Sequence, residues 1–262
     1  WALRSSTGNL EDKMKITFLT TDDPIYLPAF FEHLLSKYGK ETQAVFSVPP
    51  LYKNQTNLQA ALRYYKTFGL TAAVGLGVRI GMVTARGQSI AAVCKKHGVL
   101  YELVPDVNAE QFLHRLRESG TDLLISVSCP QIFKKPLIEL PKLGCLNIHG
   151  AILPHYRGVL PSFWMLANQE KNAGVSIYYV NEKIDAGELC GQSVFEILPG
   201  ESLDSFITRS KAIAAELLIE VLGKIEDGTI TQSPLNLAEG SYYSWPNPEA
   251  VKRFRANGHH VW

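Results

Sequence analysis

Apolar and polar positions alternate in long regular blocks. Residues 15–20 form a short apolar run suited to a buried strand, and Asp22-Asp23-Pro24 offers an N-cap and a first-turn proline for a helix that Gly39 ends. Residues 43–48 read as a second strand, 57–68 as a helix with Leu58, Leu62 and Tyr65 at helical spacing, and 89–97 as a helix stopped by Gly98. A strand over 99–104 follows. Asn108 caps a helix carrying Phe112, Leu113 and Leu116, closed by Gly120, and 123–127 is an almost wholly apolar strand. Beyond residue 150 the rhythm loosens. Residues 173–180 and 192–197 read as longer strands that pair antiparallel around a turn near Asp185-Ala-Gly187, before one long amphipathic helix over 202–226.

Strands alternating with helices predict an α/β fold, a Rossmann-like and mostly parallel sheet with helices on both faces. The expected organisation is a tail over 1–13 with Met14 as the natural start, a main domain over 14–227, and a small C-terminal appendage over 228–262. The appendage holds Gly240, Pro246, Pro248 and the cluster Tyr242, Tyr243, Trp245, read as core-sealing with a stacking surface for a base or sugar as the alternative.

Composition narrows the field modestly. The 262 residues are 46% hydrophobic, enough for one sizeable core, and 26 basic against 25 acidic residues leave a net charge of +1. That balance gives no global field for nucleic acid or membrane, although a local basic patch stays open. Cys94, Cys129, Cys145 and Cys190 are scattered without a C-x-x-C pair and read as reduced, mostly buried thiols of a cytoplasmic protein. No run of 18 apolar residues predicts a spanning helix. His33, His97 and His114 lack companions at metal-ligand spacing, and His259-His260 reads as a disordered or added end. Gly75-Leu-Gly77-Val-Arg-Ile-Gly81 sits in an apolar stretch, away from the first strand where a nucleotide loop belongs, and reads as close helix packing. TTDDP after the first strand offers carboxylates where a diphosphate wants amides, which disfavours a Rossmann dehydrogenase.

Chemistry concentrates in Leu143-Gly-Cys-Leu-Asn147-Ile-His149-Gly150 and the loop that follows. Asn147 and His149, two apart on a strand, leave the same face at the carboxyl end, where open α/β sheets place ligands. Taken alone the pair is also compatible with an ordinary structural role. Asp185 in Ile184-Asp-Ala-Gly187 completes an Asn, His, Asp set suited to acyl transfer between nitrogens: Asn donates to an oxyanion, His holds a proton or that charge, and Asp orients the ring and relays a proton. No Ser or Cys nucleophile elbow is apparent.

The string Asn147-Ile-His-Gly-Ala-Ile-Leu-Pro-His-Tyr-Arg-Gly158, with Ile184-Asp-Ala-Gly187, resembles the formyltransferases that use 10-formyltetrahydrofolate, above all the methionyl-tRNA formyltransferase branch and its sugar-nucleotide relatives. The resemblance spans roughly residues 14–227. It implies catalytic roles for Asn147, His149 and Asp185, and a pterin held largely by backbone groups of Gln131, Ile132 and Phe133 and of Asn181, Glu182, Lys183 and Ile184. It implies 10-formyltetrahydrofolate as formyl donor and no metal.

Departures from the family narrow the acceptor. TTDDP replaces the phosphate loop of glycinamide ribonucleotide enzymes. The residues given after the long helix are expected to be too few for the barrel that grips tRNA, and a counterpart of the N-terminal module of formyltetrahydrofolate hydrolases is not expected. The expected acceptor is a small-molecule amine, foremost a nucleotide-linked amino sugar. Against that choice, Tyr156-Arg157-Gly158-Val159 stands where many sugar-specific relatives carry Asn-Arg-Gly-Trp. An amino acid or hydroxyornithine-type amine, Met-tRNA and water therefore stay as alternatives, and so does a non-catalytic folate-binding domain. Membrane and nucleic-acid partners are not expected, and a homodimer is left open.

Overall fold

Ile16–Thr21 (β1) and Leu123–Val127 (β4) are buried along nearly their whole length, as strands covered on both faces must be. The computed structural model describes residues 13–49 and 57–262, so all but the last residue of the predicted tail lies outside the described residues. Thr42–Val48 (β2), Leu100–Leu103 (β3), Cys145–His149 (β5), Asn172–Tyr179 (β7) and Glu188–Glu196 (β8) complete a seven-stranded sheet in the order β3-β2-β1-β4-β5-β7-β8. The first five strands in that order are parallel; β7 runs antiparallel to β5, and β8 antiparallel to β7. The winding reverses between β1 and β4, which opens a crevice at the carboxyl ends of the central strands.

Alternation along each strand divides the core. Ile16, Phe18, Val45, Ile125, Leu146 and Ile148 pack against Leu27–Tyr38 (α1), Ile90–His97 (α4) and Leu203–Glu226 (α8). Leu19, Phe46, Leu124 and Cys145 face the other way, onto Glu110–Ser119 (α5) and the short Lys135–Ile138 (α6). Asn147 and His149 share the parity of Cys145 and so project on that second side.

Asn57–Phe68 (α2) and Leu70–Ala85 (α3) form a hairpin, joined by Gly69 with φ 88°, a left-handed turn that favours glycine. Pro161–Ala167 (α7), Pro248–Ala256 (α9) and Phe68 build a third cluster, in which Phe163 meets both Phe68 and Phe254. Arg157–Gly158 (β6) pairs in parallel with Tyr242–Tyr243 (β9), tying the C-terminal segment to the loop after β5.

Local chemistry differs from the sequence reading at four places. Asp23 does not cap α1; its Oδ1 accepts from the N–H groups of Ile25 and Tyr26 one turn earlier, and the helix starts at Leu27 with Pro28 in its first turn. Asn108 does not cap α5, whose N-cap is Ala109. Its amide instead donates to the Ile132 carbonyl and its Oδ1 accepts from the Lys134 N–H, because the loop after β4 offers it main-chain partners. Of the α3 glycines only Gly75 lies in a close contact, against Trp262; Gly77 and Gly81 face open space. His259 and His260 are ordered: His259 stacks on Phe254 and bonds the Glu201 carbonyl, and the His260 carbonyl accepts from the Leu203 N–H.

Candidate active site

β5 ends on His149, and the antiparallel register sets Tyr178 of β7 opposite Asn147 and Ser176 opposite His149. The turn from β7 to β8 must fold tightly back over this strand end. Gly187 allows it, since a Cβ there would lie 1.7 Å from the Tyr179 carbonyl oxygen. Asp185 takes φ 47°, a left-handed conformation that Asp tolerates better than most residues. The return brings Asp185 to the end of β5.

Four residues close a polar chain there. The Asn147 amide donates to the Tyr178 hydroxyl at 2.9 Å, and that hydroxyl donates to Asp185 Oδ1 at 2.8 Å. Asp185 Oδ2 accepts from the Gly158 N–H at 2.8 Å. Gly158 itself is forced: it has φ 97°, and a Cβ would lie 2.2 Å from the Tyr243 carbonyl oxygen. Burial, and next the charge of Asp185, push the Tyr178 hydroxyl well above its ordinary range, so it stays protonated as a fixed donor.

His149 is buried, with Nε2 2.8 Å from the Tyr156 carbonyl. A carbonyl only accepts, so Nε2 carries the proton and the neutral ring keeps its lone pair on Nδ1. That atom faces Asp185 Oδ1 at 3.7 Å, beyond direct hydrogen bonding.

Beside this network opens a cleft of about 360 Å³. Its walls are residues 129–133 on one side and 180–185 on the other, with Ser126, Asn147 and Tyr178 at the base and Tyr242 at the rim. Gln131 turns its side chain back into the protein, accepting from the Val107 N–H and donating to the Pro105 carbonyl. Its loop therefore meets the cleft without that amide. Asn108 pins the same loop, and among the described residues the N–H groups of Ile132 and Phe133 have no protein partner. Phe133 is buried in the core behind, whereas Ile132 and Ile184, both lining the cleft, are 65% and 45% exposed, apolar surface that a flat ligand would cover. Asn181 is spent within its own turn, on the Lys183 N–H and the Ala186 carbonyl; Glu182 and Lys183 are exposed.

All seven residues read as cofactor-binding thus line one cleft with Asn147 and Asp185, and His149 lies behind it. Cys129 also lines it, but burial pushes its thiol up to about 12, which leaves it a neutral group and no nucleophile. All four cysteines are free thiols. Among the described residues no three or more His, Cys, Asp and Glu side chains gather as a metal would require, and the outlying histidines sit beside carboxylates: His33 by Glu216, His97 by Glu32, His114 by Glu118. Tyr243 and Trp245 are half-buried, Tyr243 stacked with Tyr156 and Trp164 and the Trp245 indole bonded to Thr67, so of that cluster only Tyr242 lines the cleft, 54% exposed.

Sequence reasoning missed Tyr178, which reads as one more aromatic in an apolar strand and betrays its role only once β7 is registered against β5. Tyr178→Phe is expected to leave the Asn147 amide and Asp185 Oδ1 unpaired in a buried site, at a cost of about 1–3 kcal/mol. Denaturant unfolding of the purified variant measures it; unchanged stability would mean the hydroxyl is replaceable by water.

A model of the formyl transferase family matches residues 80–222, more than half of the chain and all of Asn147, His149, Asp185 and both cleft walls. The chain belongs to that family. Among curated relatives, a methionyl-tRNA formyltransferase of Thermotoga maritima is 33% identical over 174 residues, 62% of this chain and 56% of that protein. One of Ruminiclostridium cellulolyticum is 31% identical over 162 residues, 60% of this chain and 52% of that protein. The chain spans about half the length of these relatives. Solved structures share the fold: a sugar N-formyltransferase from Shewanella superposes with a TM-score of 0.60 at 18% identity, covering 94% of this chain and 87% of that one. Glycinamide ribonucleotide transformylase 1 from Symbiobacterium toebii gives 0.61 at 16% identity, covering 88% and 100%. The matched segment runs from within α3 through most of α8 and takes in β3, β4, β5, β7 and β8 of the sheet.

Proposed function

We propose that the protein transfers a formyl group from 10-formyltetrahydrofolate to the amine of a small acceptor. One observation carries the reading: Asn147 and Asp185, from a strand end and a distant turn, line a cleft with apolar flanks and uncommitted main-chain donors, and His149 sits behind them with Nδ1 3.7 Å from Asp185. Such a cleft fits a pterin, a flat ring with a donor and acceptor edge, through Gln131, Ile132 and Phe133 on one wall and Asn181, Glu182, Lys183 and Ile184 on the other.

The bound donor supplies the formyl carbon. Asn147 donates to the oxygen of that carbonyl as charge develops on it. His149 meets the incoming amine with the Nδ1 lone pair, takes its proton, and then presents an N–H to the same oxyanion. Asp185 stabilises the resulting imidazolium and relays the proton towards the departing folate nitrogen. One carbon–nitrogen bond forms as another breaks, and no covalent enzyme intermediate is needed.

For the acceptor we favour a nucleotide-linked amino sugar. The fold neighbours include sugar N-formyltransferases, and Tyr242 offers an aromatic face at the rim. Met-tRNA is the second reading, favoured by the 31–33% identity to methionyl-tRNA formyltransferases. Purified protein incubated with 10-formyltetrahydrofolate and a panel of amino sugar nucleotides, amino acids, hydroxyornithine and Met-tRNA, with product mass followed, tests both. Tetrahydrofolate released together with a formylated amine is the expected result. Tetrahydrofolate without any formylated acceptor would make the protein a hydrolase, and binding without turnover would make it a folate-binding domain.

A further inference from the structure

A surface helix ordinarily turns its apolar stripe inward and its charges to solvent. α3 does the reverse. Its inner side holds Ala72 and Val83, with Gly75 against Trp262, and its one charged residue, Arg79, reaches Asp204 of α8 at 3.7 Å. Its outer side presents Leu70, Val74 and Val78, spaced as one face, and next to them Gly77 and Gly81, which meet open space. α2 continues the pattern with Leu58, Leu62 and Tyr65. These six side chains are 46% to 69% exposed. Exposed apolar side chains gathered along two neighbouring helices in this way mark a contact surface.

Charge identifies what the surface meets. From residue 42 to residue 101 the sequence contains no Asp or Glu, although the chain has 25 of them elsewhere. The hairpin itself carries Arg63, Lys66, Arg79 and Arg86, with Lys66 and Arg86 exposed. A second copy of the chain docking hairpin to hairpin would set these cations against a segment that has no carboxylate of its own to receive them. A phosphate-bearing lipid surface supplies the missing charge and an apolar layer just beneath it. α3, at 16 residues, is too short to span a bilayer but suits a helix lying in the interface.

We propose that the α2–α3 hairpin docks the protein on an anionic lipid bilayer, with the Leu58, Leu62, Tyr65 and Leu70, Val74, Val78 faces at the acyl boundary and Lys66 and Arg86 among the phosphates. The near-zero net charge that argued against a membrane partner averages over this segregation.

Co-sedimentation of the full chain with vesicles of phosphatidylcholine and phosphatidylglycerol in about equal parts, against phosphatidylcholine alone, tests it. Binding should require the anionic lipid and weaken as salt rises. The double variant Val74→Asp, Val78→Asp should cut the bound fraction at least about tenfold, and Lys66→Glu with Arg86→Glu should weaken it too. All four side chains are exposed, so both variants should melt with the parent protein, which separates lost docking from lost folding. The proposal is overturned if the parent stays in the supernatant with anionic vesicles, or if the Val74, Val78 variant binds as well as the parent. It is equally overturned if sedimentation velocity without lipid shows a dimer that the same variant dissociates, since the face would then cover a second copy.

Discussion

Asp185→Asn is expected to lower kcat by about 10³-fold or more while the protein keeps its fold. Asn has the same shape, and its carbonyl can accept from the Gly158 N–H as the carboxylate does. The amide nitrogen then faces Tyr178, whose hydroxyl can turn from donor to acceptor. What the variant loses is the negative charge 3.7 Å from His149 Nδ1, and with it the stabilisation of the imidazolium that forms when the amine gives up its proton. Steady-state kinetics beside a thermal melt separate the two effects. A variant that melts with the parent and turns over within tenfold of it would remove Asp185 from the proton path.

Asn147→Ala carries the second largest expectation, a loss of about 10²–10³ in kcat with a small change in KM for the folate. The side chain reaches the cleft from its base, and its amide is already oriented by the Tyr178 hydroxyl, so it is a preorganised donor. Combining it with His149→Ala should cost little more than the worse single change, because groups that act on one transition state are not additive. A multiplicative loss would mean that Asn147 and His149 serve different steps.

Much of this arrangement was legible in the sequence, for identifiable reasons. The buried runs of β1 and β4 and the amphipathic period of α8 are local signals, and the structure repeats them. Asn147 and His149 were legible as a pair because a strand fixes their common face, and Asp185 because Gly187 marks its turn. Tyr178 was not, since its meaning lies in a register against a strand about thirty residues away. Asn108 looked like a helix cap because Asn caps helices, but the loop at 132–134 competed for the same side-chain atoms and won. The stretch that forms α3 read only as apolar with glycines for close packing, a pattern that does not say which face turns outward. That choice was made by Trp262 and Asp204, distant residues that claim the inner side.

The central claim is that Asn147, His149 and Asp185 act on a formyl group held in the adjoining cleft. Calorimetric affinity for 5-formyltetrahydrofolate, a non-transferring analogue, measured beside single-turnover rates in Asn147→Ala, His149→Ala and Asp185→Asn, tests it most directly. The account predicts affinities within a few-fold of the parent and rates lower by about 10² or more in each variant. Near-parental rates in all three, or affinity lost in step with rate, would contradict it.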